Sequence, residues 1–216
     1  MAFSAALRRF TFTAHVTSSV GWLGAAVVFA ALAAIGLISQ DERTVRGAYL
    51  VMAPAAWFVL VPLAHTSLFT GIALSLGTPW GLIRHYWVAI KLVITVFSTV
   101  ILMIYMATFR QMAGVASDPV AGLGLVRNPS PLVHATLAIV LLGIATVLAI
   151  YKPFGTTPYG ERQRVRFAAQ GHVAASVTEL TPGTAHAREY VLWIVALAIL
   201  ALIVLSHLLG SAAHGH

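Results

Sequence analysis

Four histidines of this 216-residue chain, His15, His65, His134 and His207, fall inside long apolar runs. Each imidazole is costly in hydrocarbon unless it is paired or bound to something. Histidine on a membrane helix is a common axial ligand for haem iron, and with methionine it also suits a soft metal such as Cu(I). Around His15 the stretch "AHVTSSVGWLGA" places Ser18, Ser19 and Trp22 at i+3, i+4 and i+7 on one helix face. Gly21, Gly24, Ala25 and Ala26 leave room for a neighbouring helix or a flat macrocycle. Lys91 is the other group that needs a reason, since a lysine at mid-membrane costs about 2.5 to 3.5 kcal/mol on insertion scales. It either snorkels to the inner surface or meets an anion, and no acidic residue lies inside an apolar run to serve as that anion, Glu189 standing at the edge of the last. A ligand carboxylate, such as a haem propionate, would do so.

The elements that position these groups are membrane helices. Of the residues, 59% are hydrophobic and 9% charged, far from the roughly one-quarter charged of soluble domains. Apolar runs cover about 10–38, 48–76, 85–109, 131–151 and 189–209, each near the roughly 20 residues a spanning helix needs. The expected fold is an all-α integral membrane bundle of about five transmembrane helices, a four-helix core (1–154) plus one (189–216, including a short His-containing tail). Residues 155–188 form a basic cytoplasmic segment, read as a solvated loop over anionic headgroups or, around "ERQRVRFAAQGHVAAS", a surface helix. Eight Lys/Arg flank one side against four on the other, which puts the N-terminus inside and the C-terminus outside a bacterial plasma membrane.

By length along the helices, His15, His65 and Lys91 fall in the inner half of the bilayer. His134, His207 and the methionines Met52, Met103, Met106 and Met112 fall in the outer half. With no cysteine and no C-x-x-C-H, any haem is non-covalent and b-type. The basic residues form no nucleic-acid motif, so membrane lipid is the expected partner of the +7 charge.

Several spacings match a known superfamily. His15, Trp22 and Gly24 reproduce a first-helix pattern. Pro62 and Gly71 follow in the second helix, and Trp87, Lys91 and Leu92 in the third. Asn128, Pro131 and the "YKPF" ending complete the series. In this the chain resembles the superfamily of HemJ-type protoporphyrinogen oxidases and CopD-type copper-resistance membrane proteins, over about residues 12–154. The resemblance implies that His15 ligates haem and that Lys91 is functionally required. HemJ-like chains usually follow the first motif with an arginine and aromatic residues, whereas "AAVVFAALAAIG" here is plain, and His65, a fifth helix and the long inner loop lie outside the pattern.

The leading expectation is a haem b membrane protein with a redox role, acting on a porphyrinogen-like or quinol-type substrate. Lys91 is the candidate catalytic residue, and His15, His65, Trp22, Ser19 and Lys91 are the haem-pocket residues. A second haem between His134 and His207 would give two. The alternatives are CopD-like copper handling through Met103, Met106, His134 and His207, and a cofactor-free structural subunit. Quinone or porphyrin, and assembly as a homo-oligomer or within a membrane complex, are the further partners expected.

Overall fold

The computed structural model describes residues 3–78, 81–153 and 155–170. The expected fifth span at 189–209, His207 and the tail lie outside the described residues. Those described form α1 (Ala5–Ile38), α2 (Glu42–Gly77), α3 (Tyr86–Ser117), α4 (Ser130–Tyr151) and a short α5 (Pro158–Gln170). Helices α1 to α3, together with the Leu123–Tyr151 segment that contains α4, are long and apolar enough to cross a membrane. Most of each span's residues are not buried within the bundle, and Phe10, Phe12, Phe58, Phe69 and Ile104 are exposed on it. An apolar surface of this extent belongs against lipid. The chain is an all-α, multi-pass membrane protein.

Helix α1 packs against α2 and α4, and α3 against the same two, so the four close into an up-down-up-down bundle with α1 and α3 on the diagonal. The starts of α1 and α2 are capped by side chains. Ser4 accepts from the Leu7 amide at 3.3 Å, and Asp41 accepts from the Arg43 and Thr44 amides before α2. The bonds from Thr44 hold the Asp41 carboxyl below its usual range. Within α2, residues Ala56–Leu60 widen into a π-turn in which the Val61 amide reaches back to the Ala56 carbonyl. That turn falls just before Pro62, whose ring would crowd the carbonyl four residues back and whose nitrogen has no hydrogen to donate.

The half of the bundle farther from the N-terminus, the outer half in the expected orientation, is closely packed around one small cavity of about 80 Å³. Trp22, Phe29, Val45, Tyr49, Met52, Met106, Phe109 and Met112 form one buried cluster, with Phe29 and Tyr105 edge-on to Phe109 at 5.5 and 5.0 Å. Gly36 lies against the Tyr49 ring so closely that a Cβ there would overlap it. Arg46 closes this end. It pairs with Glu42 and donates to the carbonyls of Ala116, Asp118 and Ala121 at 3.2, 2.7 and 2.9 Å, capping the C-terminus of α3 with a cation.

The inner end is tied differently. Of the two readings of 155–188, the surface helix is realised over Pro158–Gln170, starting earlier than its charged run because Thr157 caps it, its hydroxyl accepting from the Gly160 amide at 3.1 Å with Pro158 next. The Thr157 amide donates to the Arg84 carbonyl at 2.8 Å and Arg84 donates to Gln163 at 2.7 Å, docking α5 on the α2–α3 connection. Gly160 is needed there, since a Cβ would collide with the Arg84 backbone.

Arg46→Ala is expected to destabilise the protein by about 2 kcal/mol, through lost hydrogen bonds from a charged donor. Thermal unfolding in detergent measures it, and Arg46→Lys should recover only part because lysine lacks the fork.

Candidate functional site

Below the packed half, the four helices separate around a cavity of about 710 Å³, within the usual range of ligand sites. All four contribute to it. His15, Ser19 and the Arg8–Arg9 pair come from α1, Ser67 and Gly71 from α2, Trp87, Lys91 and Thr95 from α3, and Ala145, Thr146 and Ala149 from α4, with Lys152 just beyond.

His15 is fixed from across the bundle. Its Nδ1 lies 3.0 Å from the Ser67 carbonyl and 3.2 Å from Thr70 Oγ1. The Thr70 hydroxyl gives its own hydrogen to a carbonyl of α2, so it faces the imidazole as an acceptor. With two acceptors at Nδ1, the neutral ring must carry its proton there, and Nε2 keeps a free lone pair. A carbonyl holding one ring nitrogen so that the other is available is the usual arrangement behind a metal-ligating histidine. Gly71 provides the space, as a Cβ there would sit 3.0 Å from His15 Cε1. Ser19 adds a second link between the same helices, 2.7 Å from Ser67 Oγ, and the buried Ser18 donates to the His15 carbonyl.

Lys91 is half-buried in α3, its ammonium 4.7 Å from the centre of the Trp87 ring, a cation–π contact that holds the charge at the cavity wall. Arg8 and Arg9 line the mouth, nearly two helical turns before His15. Lys152 joins them because α4 ends in a left-handed turn at this residue (φ 44°), its amide bonded to the Leu148 carbonyl, with Pro153 preventing further helix. Among the described residues, four cations and no carboxylate line the cavity. Its field therefore favours an anionic ligand.

The other sequence candidates go elsewhere. His65 does not line this cavity. Its Nδ1–H is donated to the Val61 carbonyl of its own helix at 2.8 Å and its ring packs on the exposed Phe69. Two residues from Ser67 is about 200° around the helix at 3.6 residues per turn, so His65 is turned from His15 and does not pair with it. Trp22 also leaves the site, buried in the outer core. His134 stacks on Tyr105 at 4.4 Å and donates to the Ser130 carbonyl at 2.8 Å. Met103 is exposed and Met106 is buried in the core, and neither lines the cavity that His134 faces.

Sequence reading missed Ser67, Thr70 and Gly71 as the partners of His15, and Arg8, Arg9 and Lys152 as cavity residues. The signal available was the run of small and hydroxyl side chains Ser67, Thr70, Gly71 and Ser75 on one face of α2.

Compared with family models, curated proteins and solved structures, the chain matches none.

Gly71→Val should force the imidazole aside and cost about 1–3 kcal/mol of stability by overpacking. Gly24→Val, where a Cβ meets nothing within 4 Å, should leave the thermal midpoint unchanged.

Proposed function

We propose that the protein is a b-type haem-binding membrane protein with an electron-transfer role, and that His15 would supply a nitrogen ligand to the iron. The observation that carries this reading is the His15 imidazole, held through Nδ1–H by a carbonyl of another helix, with Nε2 left proton-free beside a cavity whose charged residues, among those described, are all cations. The residues present fit the group. An imidazole of fixed tautomer provides the ligand, Val16, Val20, Leu68 and Ile72 provide apolar wall, and Lys91 with the mouth cations provides charge for two propionates.

When bound, haem b supplies a one-electron iron couple. The chain's own part is to bind, orient and exclude water. Ser67 and Thr70 orient His15 and strengthen its basicity by accepting from Nδ1–H. Trp87 restrains Lys91 at the wall, and the packed outer half closes the cavity on that side. With His65 turned away, His15 is the one imidazole of the cavity among the described residues, which corresponds to a single haem b.

Protein purified in mild detergent with haem supplied during expression should give a dithionite-reduced minus oxidised spectrum with sharp b-type bands. His15→Ala should abolish them, His65→Ala should leave them intact, and Lys91→Met should lower haem retention. A featureless spectrum from folded, haem-supplied protein contradicts the reading.

A further inference from the structure

The cavity beside His15 is open on one side. The α2 and α3 residues that line it, Ser67, Gly71, Trp87 and Lys91 among them, are buried or half-buried. Every exposed residue of its lining belongs to α1, to α4 or to Lys152 at the end of α4. Phe12, Val16 and Val20 on α1 are 59, 41 and 61% exposed, and Ile150 on α4 is 68% exposed. The way in therefore lies between these two helices, from the side, where a membrane helix meets lipid.

The sequence makes this gap. Phe12, Val16 and Val20 stand at i, i+4 and i+8 and form one ridge along α1, about 12 Å long at 1.5 Å per residue. His15 and Ser19, each one residue earlier, turn to α2 instead. On α4 the lining side chains Ala145, Thr146 and Ala149 are small, and the Thr146 hydroxyl is spent on the Leu142 carbonyl at 2.8 Å. Farther along, Trp22 and Leu142 join one buried cluster, so the two helices close above the gap.

Cations stand at its open end. Arg8 and Arg9 precede the ridge, and the left-handed turn that ends α4 brings Lys152 to the same cavity. Arg46 is engaged with Glu42 and the carbonyls after α3, and Arg84 with Gln163. The side chains of Arg8 and Arg9, by contrast, have no hydrogen bond or ion pair among the described residues.

We propose that this gap holds one acidic phospholipid, its phosphate at Arg8, Arg9 and Lys152 and one acyl chain along the Phe12, Val16 and Val20 ridge against Ala145 and Ala149. Cations at the helix ends with an apolar ridge running inward reproduce the polarity of a lipid lying parallel to the helices. Basic pockets between membrane helices are known seats for anionic headgroups. A choline headgroup would bring a further cation to a mouth that already has three, so the site selects lipids of net negative charge. The net charge of the chain attracts such headgroups without fixing a place, whereas this gap fixes one. The lipid uses the mouth and the gap, not His15, and the proposal does not rest on the haem reading.

The test is native mass spectrometry of the full chain, purified in mild detergent without added haem and titrated with phosphatidylglycerol, phosphatidylcholine or glycerol 3-phosphate. One phosphatidylglycerol should bind saturably, about tenfold or more tighter than phosphatidylcholine, and glycerol 3-phosphate should not bind in the same range. Arg8→Gln with Arg9→Gln should weaken phosphatidylglycerol at least about tenfold through lost charge-assisted hydrogen bonds. Arg43→Gln with Arg110→Gln, the same charge loss on exposed residues at the other end of the bundle, should leave it unchanged, as should His15→Ala. Ala149→Phe, which fills the gap, should abolish the site, and Ala145→Leu serves if that variant does not fold. Equal affinity for the two lipids, equal weakening by both arginine pairs, or unchanged binding in the filled gap overturns the proposal. Binding of glycerol 3-phosphate as tight as that of the lipid marks a free-phosphate site, and loss of the lipid in His15→Ala places it in the deep cavity; either result overturns the proposal as well.

Discussion

The hydrogen bond from His15 Nδ1–H to the Ser67 carbonyl organises the inner half of this bundle. His65 and His134 spend the same donor on a carbonyl of their own helix, which costs nothing in tertiary structure and orients them only locally. His15 reaches instead to α2, at a point where Gly71 and Ser67 keep the helix surface low. The bond sets the spacing of α1 and α2, fixes the tautomer and leaves Nε2 beside a cavity. Within a membrane, where lipid tails give helices no hydrophobic reason to associate, such polar links and small-residue contacts carry a large part of the specificity.

The two halves of the bundle solve different problems. Aromatic and thioether side chains fill the outer half, with the Arg46 fork capping α3 at its end. In the inner half the large side chains are replaced by Ser, Thr, Gly and Ala, and the helices stay apart. Cations collect at the inner mouth for separate local reasons: Arg8 and Arg9 precede His15 on α1, Lys152 is placed by the turn that ends α4, and Lys91 is held against Trp87. With no carboxylate among the described residues that line the cavity, an anionic ligand would relieve their mutual repulsion. A helical framework that is rigid at one end and open with one sign of charge at the other is suited to holding an amphipathic anion by its charged edge.

Much of the scaffold was legible in the sequence, because length and hydropathy dictate membrane helices directly. The four described spans lie where the apolar runs put them, and Lys91 and Ser19 line the same cavity as His15. What failed was rotation about the helix axis. Depth is a sum over residues and tolerates small errors, but each residue turns a helix by about 100°, so shared depth for His15 and His65 did not mean a shared face. The π-turn at Ala56–Leu60 adds a further rotation that uniform periodicity does not contain. Trp22 is seven residues from His15 and on its face, yet two turns of rise carry it into the packed half. The Arg8, Arg9 and Lys152 contributions depended on how helix ends meet, which no periodicity encodes.

The central claim is that His15 presents a proton-free Nε2 to the cavity, ready to bind iron. Nitrogen NMR of protein labelled with [15N]histidine, with His15→Gln identifying the resonances, tests it before and after haem b is added. The account predicts a protonated Nδ1 and an unprotonated Nε2 in the haem-free protein, and loss of the Nε2 resonance when haem binds. An Nε2–H tautomer, or an Nε2 signal untouched by haem, would contradict it.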